Sequence, residues 1–291
     1  MKQAKHQGLS VQALAQIQKD VAQLSQYHES VPADPWEWPS YHHVSGFAHP
    51  PIIACHQLDP FKAIVAEWGF VPHWVKTEKE AYLPAKPYNN MLNVQSQTMF
   101  DKPAFAKAAR YGRCVVLIDG YYESHHYKGR TYPFYIYQKD HQPMFIAAIC
   151  RKALWVNEDT GEVIQKNVLA TLTCEANETL AKIHNNPKMV QRGNGHRMLV
   201  ILKEKQVADY LAPFPTPLGE KGDALQEESF INEIERICSP YPQKAISYHT
   251  VAPLRDRKHM PYPGNVPEIK APYLWNDFDY TRVGLEKWPD Y

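Results

Sequence analysis

The clearest break in the polar pattern of the chain lies between Arg113 and Ser124, where an unbroken apolar run from Cys114 to Ile118 gives way to Asp119-Gly120, two tyrosines and Glu123. An apolar run closed by a turn signal predicts a buried strand over 113–118, a tight turn, and a second strand over 120–125. Clusters of β-branched and aromatic residues predict further strands at 52–55, 62–69, 132–138, 144–151, 167–174, 197–202 and 245–250. Helical spacing behind Ser10 (Val11, Leu14, Ile17, Val21, Leu24) predicts an amphipathic helix over 10–25. Shorter helices are expected at 103–110, 175–183, 204–211 and 223–237. Prolines 32, 35, 39, 50 and 51 exclude a continuous helix in the segment that follows the first one. Residues 251–291, rich in proline and aromatics, read as an extended tail lying over the body. Strands interspersed irregularly with short helices predict an α+β fold in one domain, residues 1–250, and argue against a doubly wound sheet.

Composition adds bounds. At 291 residues and 44% apolar content the chain can bury a large core. No apolar run approaches the roughly 20 residues of a membrane helix, and the first residues lack an apolar signal region, so a cytoplasmic protein is expected. A net charge of +1 carries no field argument for a nucleic-acid partner, although lysine and arginine spread through 76–152 allow a basic face. Five cysteines without a C-x-x-C pair suit reduced thiols.

Several residue types could carry chemistry. Glu123, just off a buried strand, sits where desolvation raises a carboxyl pKa, as a general acid requires; an exposed hairpin glutamate is the competing reading. The pairs His42/His43 and His125/His126, and Cys55-His56, lack the spacing that puts two ligands on one ion, so no metal is expected. Ser124 lacks the G-x-S-x-G elbow. The indoles of Trp68 and Trp74 flank a turn and suit either core packing or stacking on an unpaired base. Asn93, Gln95 and Gln97 can bond base edges or sugar oxygens, and His184, at the end of a helix, can titrate near neutrality.

In order, these blocks form a series: Trp68-Gly-Phe-Val-Pro-His-Trp74, Asn93-Val-Gln-Ser-Gln97, Arg113 through Glu123, Thr171-Leu-Thr-Cys-Glu-Ala-Asn177 with Ile183-His184, and Arg197-Met-Leu-Val-Ile-Leu. The series, over about residues 60–205, resembles the SOS response-associated peptidase family, abasic-site processing proteins that cross-link to single-stranded DNA. The resemblance implies mixed and antiparallel sheets curled into a barrel-like core with flanking short helices. It implies catalytic roles for Asn93 (positioning), Glu123 (acid–base) and His184 (sugar ring opening and proton transfer). DNA contacts are implied for Trp68, Trp74, Gln95, Gln97, Arg113, Thr173 and Arg197. No cofactor is implied; the expected partner is single-stranded DNA with abasic sites, and the expected state a monomer.

The departures are specific. In the family an N-terminal cysteine supplies an amine and a thiol that close a thiazolidine on the abasic aldehyde; the pattern lays Ala4 at that position. The family's Asn-x-Arg-x-Glu is Asn93-Val-Gln95-Ser-Gln97 here, without the arginine that would hold a phosphate. Arg-Met-Pro is Arg197-Met-Leu199, and the spacing from His184 to Arg197 is longer than usual. The chemistry expected is therefore family-type cross-linking, lyase or peptidase-like activity, or a non-catalytic DNA-binding or interaction module of the same fold.

Overall fold

The computed structural model describes residues 41–81, 91–157, 159–191, 195–255 and 264–286. The expected helix over 10–25 and Ala4 lie outside them. Eleven strands are described: β1 (Pro51–His56), β2 (Asp59–Trp68), β3 (Asn93–Gln95), β4 (Arg113–Ile118), β5 (Gly120–Tyr127), β6 (Arg130–Gln138), β7 (Met144–Val156), β8 (Val163–Glu175), β9 (Arg197–Leu199), β10 (Ile201–Leu202) and β11 (Ile246–Thr250).

Five of these close into a ring. Antiparallel pairs join β2 to β1, β1 to β4, β4 to β7 and β7 to β8, and a parallel pairing of Glu67 and Trp68 with Val168 and Leu169 returns β8 to β2. Inside the ring, β7 is buried almost continuously from Met144 to Cys150; beyond it the strand alternates, Ala153 and Trp155 in, Leu154 and Val156 out. That switch marks where a strand covered on both faces becomes one with a solvated face. β3 and β9 extend β8, and β10 extends β7. The run expected as one strand over 197–202 breaks at Val200, whose N–H bonds to Leu172 and whose carbonyl bonds to Ala147, so its two halves pair with different strands.

A second, antiparallel sheet, ordered β11-β6-β5, shares the core through Tyr121, Phe134, Ile136 and Tyr248. Gly120 opens β5 because a side chain there would collide with the Ile136 carbonyl, 2.4 Å from where its Cβ would sit, and with the Tyr135 ring. The mixed, barrel-like α+β architecture expected from the family resemblance is therefore present.

The flanking helices are short: α1 (Glu78–Ala81), α2 (Ala106–Tyr111), α3 (Glu178–Ile183), α4 (Pro187–Gln191), α5 (Glu204–Leu211) and α6 (Ala224–Ile237). α3 starts later than expected because β8 runs through Glu175 and the Asn177 side chain caps the helix, accepting from the Leu180 N–H. No described helix is long and apolar enough to cross a membrane. In the described part of the tail, Ile269, Trp275, Phe278, Tyr280 and Leu285 are buried. Phe278 packs on Tyr132 with ring centres 4.7 Å apart, so these side chains join the same core as the barrel.

Candidate functional site

Alternation along β5 sets which side chains share a face: Tyr121, Glu123 and His125 on one, Tyr122 and Ser124 on the other. Glu123 is three-quarters buried, its side chain 26% exposed. α3 ends at His184, whose N–H closes the last turn on the Leu180 carbonyl, and this brings the imidazole to β5. His184 Nδ1 lies 3.8 Å from Glu123 Oε1 and 3.0 Å from the Arg197 carbonyl. A carbonyl only accepts, so Nδ1 carries the proton and, in the neutral ring, Nε2 keeps the lone pair. The His184 carbonyl in turn accepts from His196 Nδ1 at 3.1 Å, which holds His196 beside the site. Burial holds the Glu123 carboxyl above the usual carboxylate range, and His184 and the Ser124 N–H draw it partway back.

Glu123 lines a cleft of about 1120 Å³ together with Trp68, Asn93, Thr171, Tyr121 and Leu199, and His184 meets that cleft through its approach to Glu123, outside the lining residues. The Trp68 indole N–H is committed to the Leu92 carbonyl at 2.9 Å, fixing the ring along the wall. Asn93 Oδ1 accepts from Thr171 Oγ1 at 2.5 Å, which leaves the amide N–H groups as the donors available to a ligand. Leu117, expected to be buried within the apolar run, is 48% exposed and forms part of the wall.

The other sequence-selected residues separate into two groups. Gln97, Thr173 and Arg197 form one network beside the histidine: the Arg197 guanidinium donates to the Thr173 carbonyl at 2.5 Å and to Gln97 Oε1 at 2.8 Å, and burial lowers its pKa. Gln95 precedes them on β3, opposite Thr173.

Trp74 and Arg113 are not brought to the cleft. Trp74 is 41% exposed and packs edge-on against His73, outside the residues that line the cavity. Arg113 is fully buried; its guanidinium donates to the carbonyls of Ala109 and Arg110 at the end of α2 and of Tyr210 and Ala212 at the end of α5. It lies over the Phe230 ring at 4.8 Å. With four of its five guanidinium N–H groups given to carbonyls inside the protein, Arg113 holds two helix ends to β4 and is not presented at the surface, where the DNA contact expected of it would lie.

Sequence reasoning missed other parts of the cleft. The loop 41–47 is one wall; the His42 and His43 N–H groups bond to Asn265 Oδ1, and Tyr122 Oη donates to the His42 carbonyl at 2.7 Å. Lys270, Arg255 and Trp275 come from the tail, whose proline-rich sequence signals an extended chain and not its destination. Tyr121 also lines the cleft, on the same face of β5 as Glu123. Its hydroxyl is buried without a hydrogen-bond partner among the described residues.

Comparison with known proteins bears on the fold and the family. The Abasic site processing protein YoaM of Bacillus subtilis (strain 168) is 26% identical over 167 residues, covering 57% of this chain and 68% of its own. The Abasic site processing protein HMCES of Rattus norvegicus is 38% identical over 211 residues, 70% of this chain and 55% of its own, so the chain spans about half the length of that relative. A crystal structure of a protein from Bacteroides thetaiotaomicron shares the fold with a TM-score of 0.60, at 24% identity, over 80% of this chain and 85% of that one. The model of the family described as SOS response associated peptidase (SRAP) matches residues 11–253. The chain belongs to the SOS response associated peptidase family.

Proposed function

We propose that the cleft binds single-stranded DNA at abasic sites and that Glu123 and His184 catalyse opening of the abasic sugar. The observation that carries this reading is the approach of His184 to Glu123, which lines a cleft together with Trp68 and Asn93. Two relatives named as abasic site processing proteins support it.

The chemistry is a proton exchange across the ring. His184 Nε2 takes the proton of the sugar C1 hydroxyl, the C1–O4 bond breaks as the C1 carbonyl forms, and protonated Glu123 gives its proton to O4. The carboxyl suits the donor role because burial keeps it protonated further toward neutral pH than an exposed glutamate. Asn93, with its carbonyl held by Thr171, offers its amide N–H groups to the sugar. Trp68 offers a face on which a neighbouring base can stack, a contact typically contributing about 1–3 kcal/mol.

A second reading rests on Ala4 at the position of the family's cysteine. On that reading the cleft binds the strand without a thiazolidine bond. Incubation with an abasic single-stranded oligonucleotide, with and without borohydride, followed by a denaturing gel separates the two: a covalent band supports bond formation, and binding without one supports the module. Absence of binding at low salt, or binding unchanged by Trp68→Ala, sinks both.

A further inference from the structure

Beyond the region that matches the family, the tail brings cationic side chains to one end of the cleft. Lys270 ends a short 3-10 turn, Pro267–Lys270, and is placed there rigidly: the preceding Ile269 is fully buried, and the Lys270 carbonyl accepts from His249 Nε2 at 2.7 Å. Its ammonium reaches Asp119 Oδ2 at 3.0 Å, at the turn that opens β5, and lies 5.9 Å from the centre of the Tyr135 ring. Arg255 lines the same end; it is exposed, its charge is felt by His43, and it has no acidic partner among the described residues. His43 in turn packs edge-on against Tyr122, with ring centres 5.2 Å apart, one residue from Glu123.

The spacing suits a bound strand that continues past the reacting sugar. From Asp119 to Glu123 is four residues of extended chain, about 13 Å, so Lys270, held at Asp119, stands well outside contact with the reacting sugar but within the same cleft. The Asp119 side chain is 60% exposed, and an ion pair with so solvated a partner is weak. A phosphodiester can therefore compete for the ammonium, while Arg255 meets no acidic competitor among the described residues.

We propose that Lys270 and Arg255 form a phosphate-binding end of the cleft, through which the tail extends the grip on a DNA strand to one side of the Glu123–His184 centre. This rests on the reading of the cleft as a single-stranded DNA site. Asp119 acts as an internal competitor for the strand, holding Lys270 in place and weakening its hold on phosphate.

The test is a salt series of binding by fluorescence anisotropy with three abasic oligonucleotides: the lesion with a single nucleotide on each side, and versions lengthened on the 5′ or on the 3′ side. In the double variant Lys270→Gln/Arg255→Gln, affinity for one of the two lengthened strands is expected to fall, and the slope of log K against log salt to flatten by about 1.4, from about 0.7 per lost contact. Binding of the short strand stays unchanged. Asp119→Asn strengthens binding of the same lengthened strand. An unchanged slope on both lengthened strands, an equal loss on the short one, or no gain from Asp119→Asn overturns the inference while leaving the DNA reading intact. If the wild-type protein binds none of the three, the functional reading fails and this inference with it.

Discussion

His184 turns its protonated Nδ1 toward the Arg197 carbonyl at 3.0 Å and holds Glu123 at 3.8 Å, so the backbone of β9 sets the histidine's tautomer while the carboxyl stays within reach. The carboxyl is thereby kept from a full ion pair, and burial dominates its titration. A carboxyl whose folded pKa is raised binds more protons folded than unfolded. Its favourable contribution is complete below the ordinary glutamate pKa and is lost as pH rises through the raised value. Glu123→Gln, which mimics the protonated form, is expected to match the wild-type melting temperature in acid and exceed it at neutral pH. Sugar opening should drop by about 10²–10⁴-fold, the usual worth of a general acid. A gap in melting temperature that does not widen with pH contradicts the assignment.

The two tryptophans selected from one motif should behave differently. Trp68 lines the cleft and Trp74 does not. Trp68→Ala is expected to weaken binding of single-stranded DNA by about 1–3 kcal/mol, and Trp74→Ala to leave it within error. Titration of both variants with one abasic oligonucleotide decides the matter; an equal loss in the two would move the binding face.

Much of the architecture follows from local signals. The strand over 113–118 and the helix over 204–211 were legible from periodicity and turn residues and have the bounds expected. Closure of the ring was expected only through the family resemblance, because it depends on two parallel pairs between strands far apart in sequence, which no local signal marks. Glu123 and His184 were legible only through the order of motif blocks; their distance and the acceptor on Nδ1 are tertiary facts. Arg113 shows the limit most plainly. An arginine at the head of an apolar run reads as a surface cation unless one knows that two helix ends, one of them contributed by residues 204–211, converge on it.

That convergence has a measurable cost of removal. Arg113→Ala is expected to destabilise the fold by about 3–5 kcal/mol, since it strips buried carbonyls of their donors. Arg113→Lys should recover little, because one ammonium cannot serve both helix ends. Chemical denaturation measures both losses. DNA affinity of whatever remains folded should be unchanged.

Tyr121→Phe runs the other way. The variant removes a buried hydroxyl that has no partner among the described residues, so stability should rise by up to about 1–3 kcal/mol, read as a higher urea midpoint at constant slope. A lower midpoint would mean that the hydroxyl is held by a group not yet identified.

The closed ring also limits how this molecule can take hold of an extended partner. Each of its five strands lies between two others around the ring, and β3, β9 and β10 already pair with the parts of β8 and β7 beyond it, so an incoming strand cannot enter the ring itself as a sixth. A partner in the cleft meets side chains, one contact at a time, and the outer edge of β5, which pairs only with β6 among the described strands. Affinity and selectivity can therefore be changed residue by residue without disturbing the barrel that presents them.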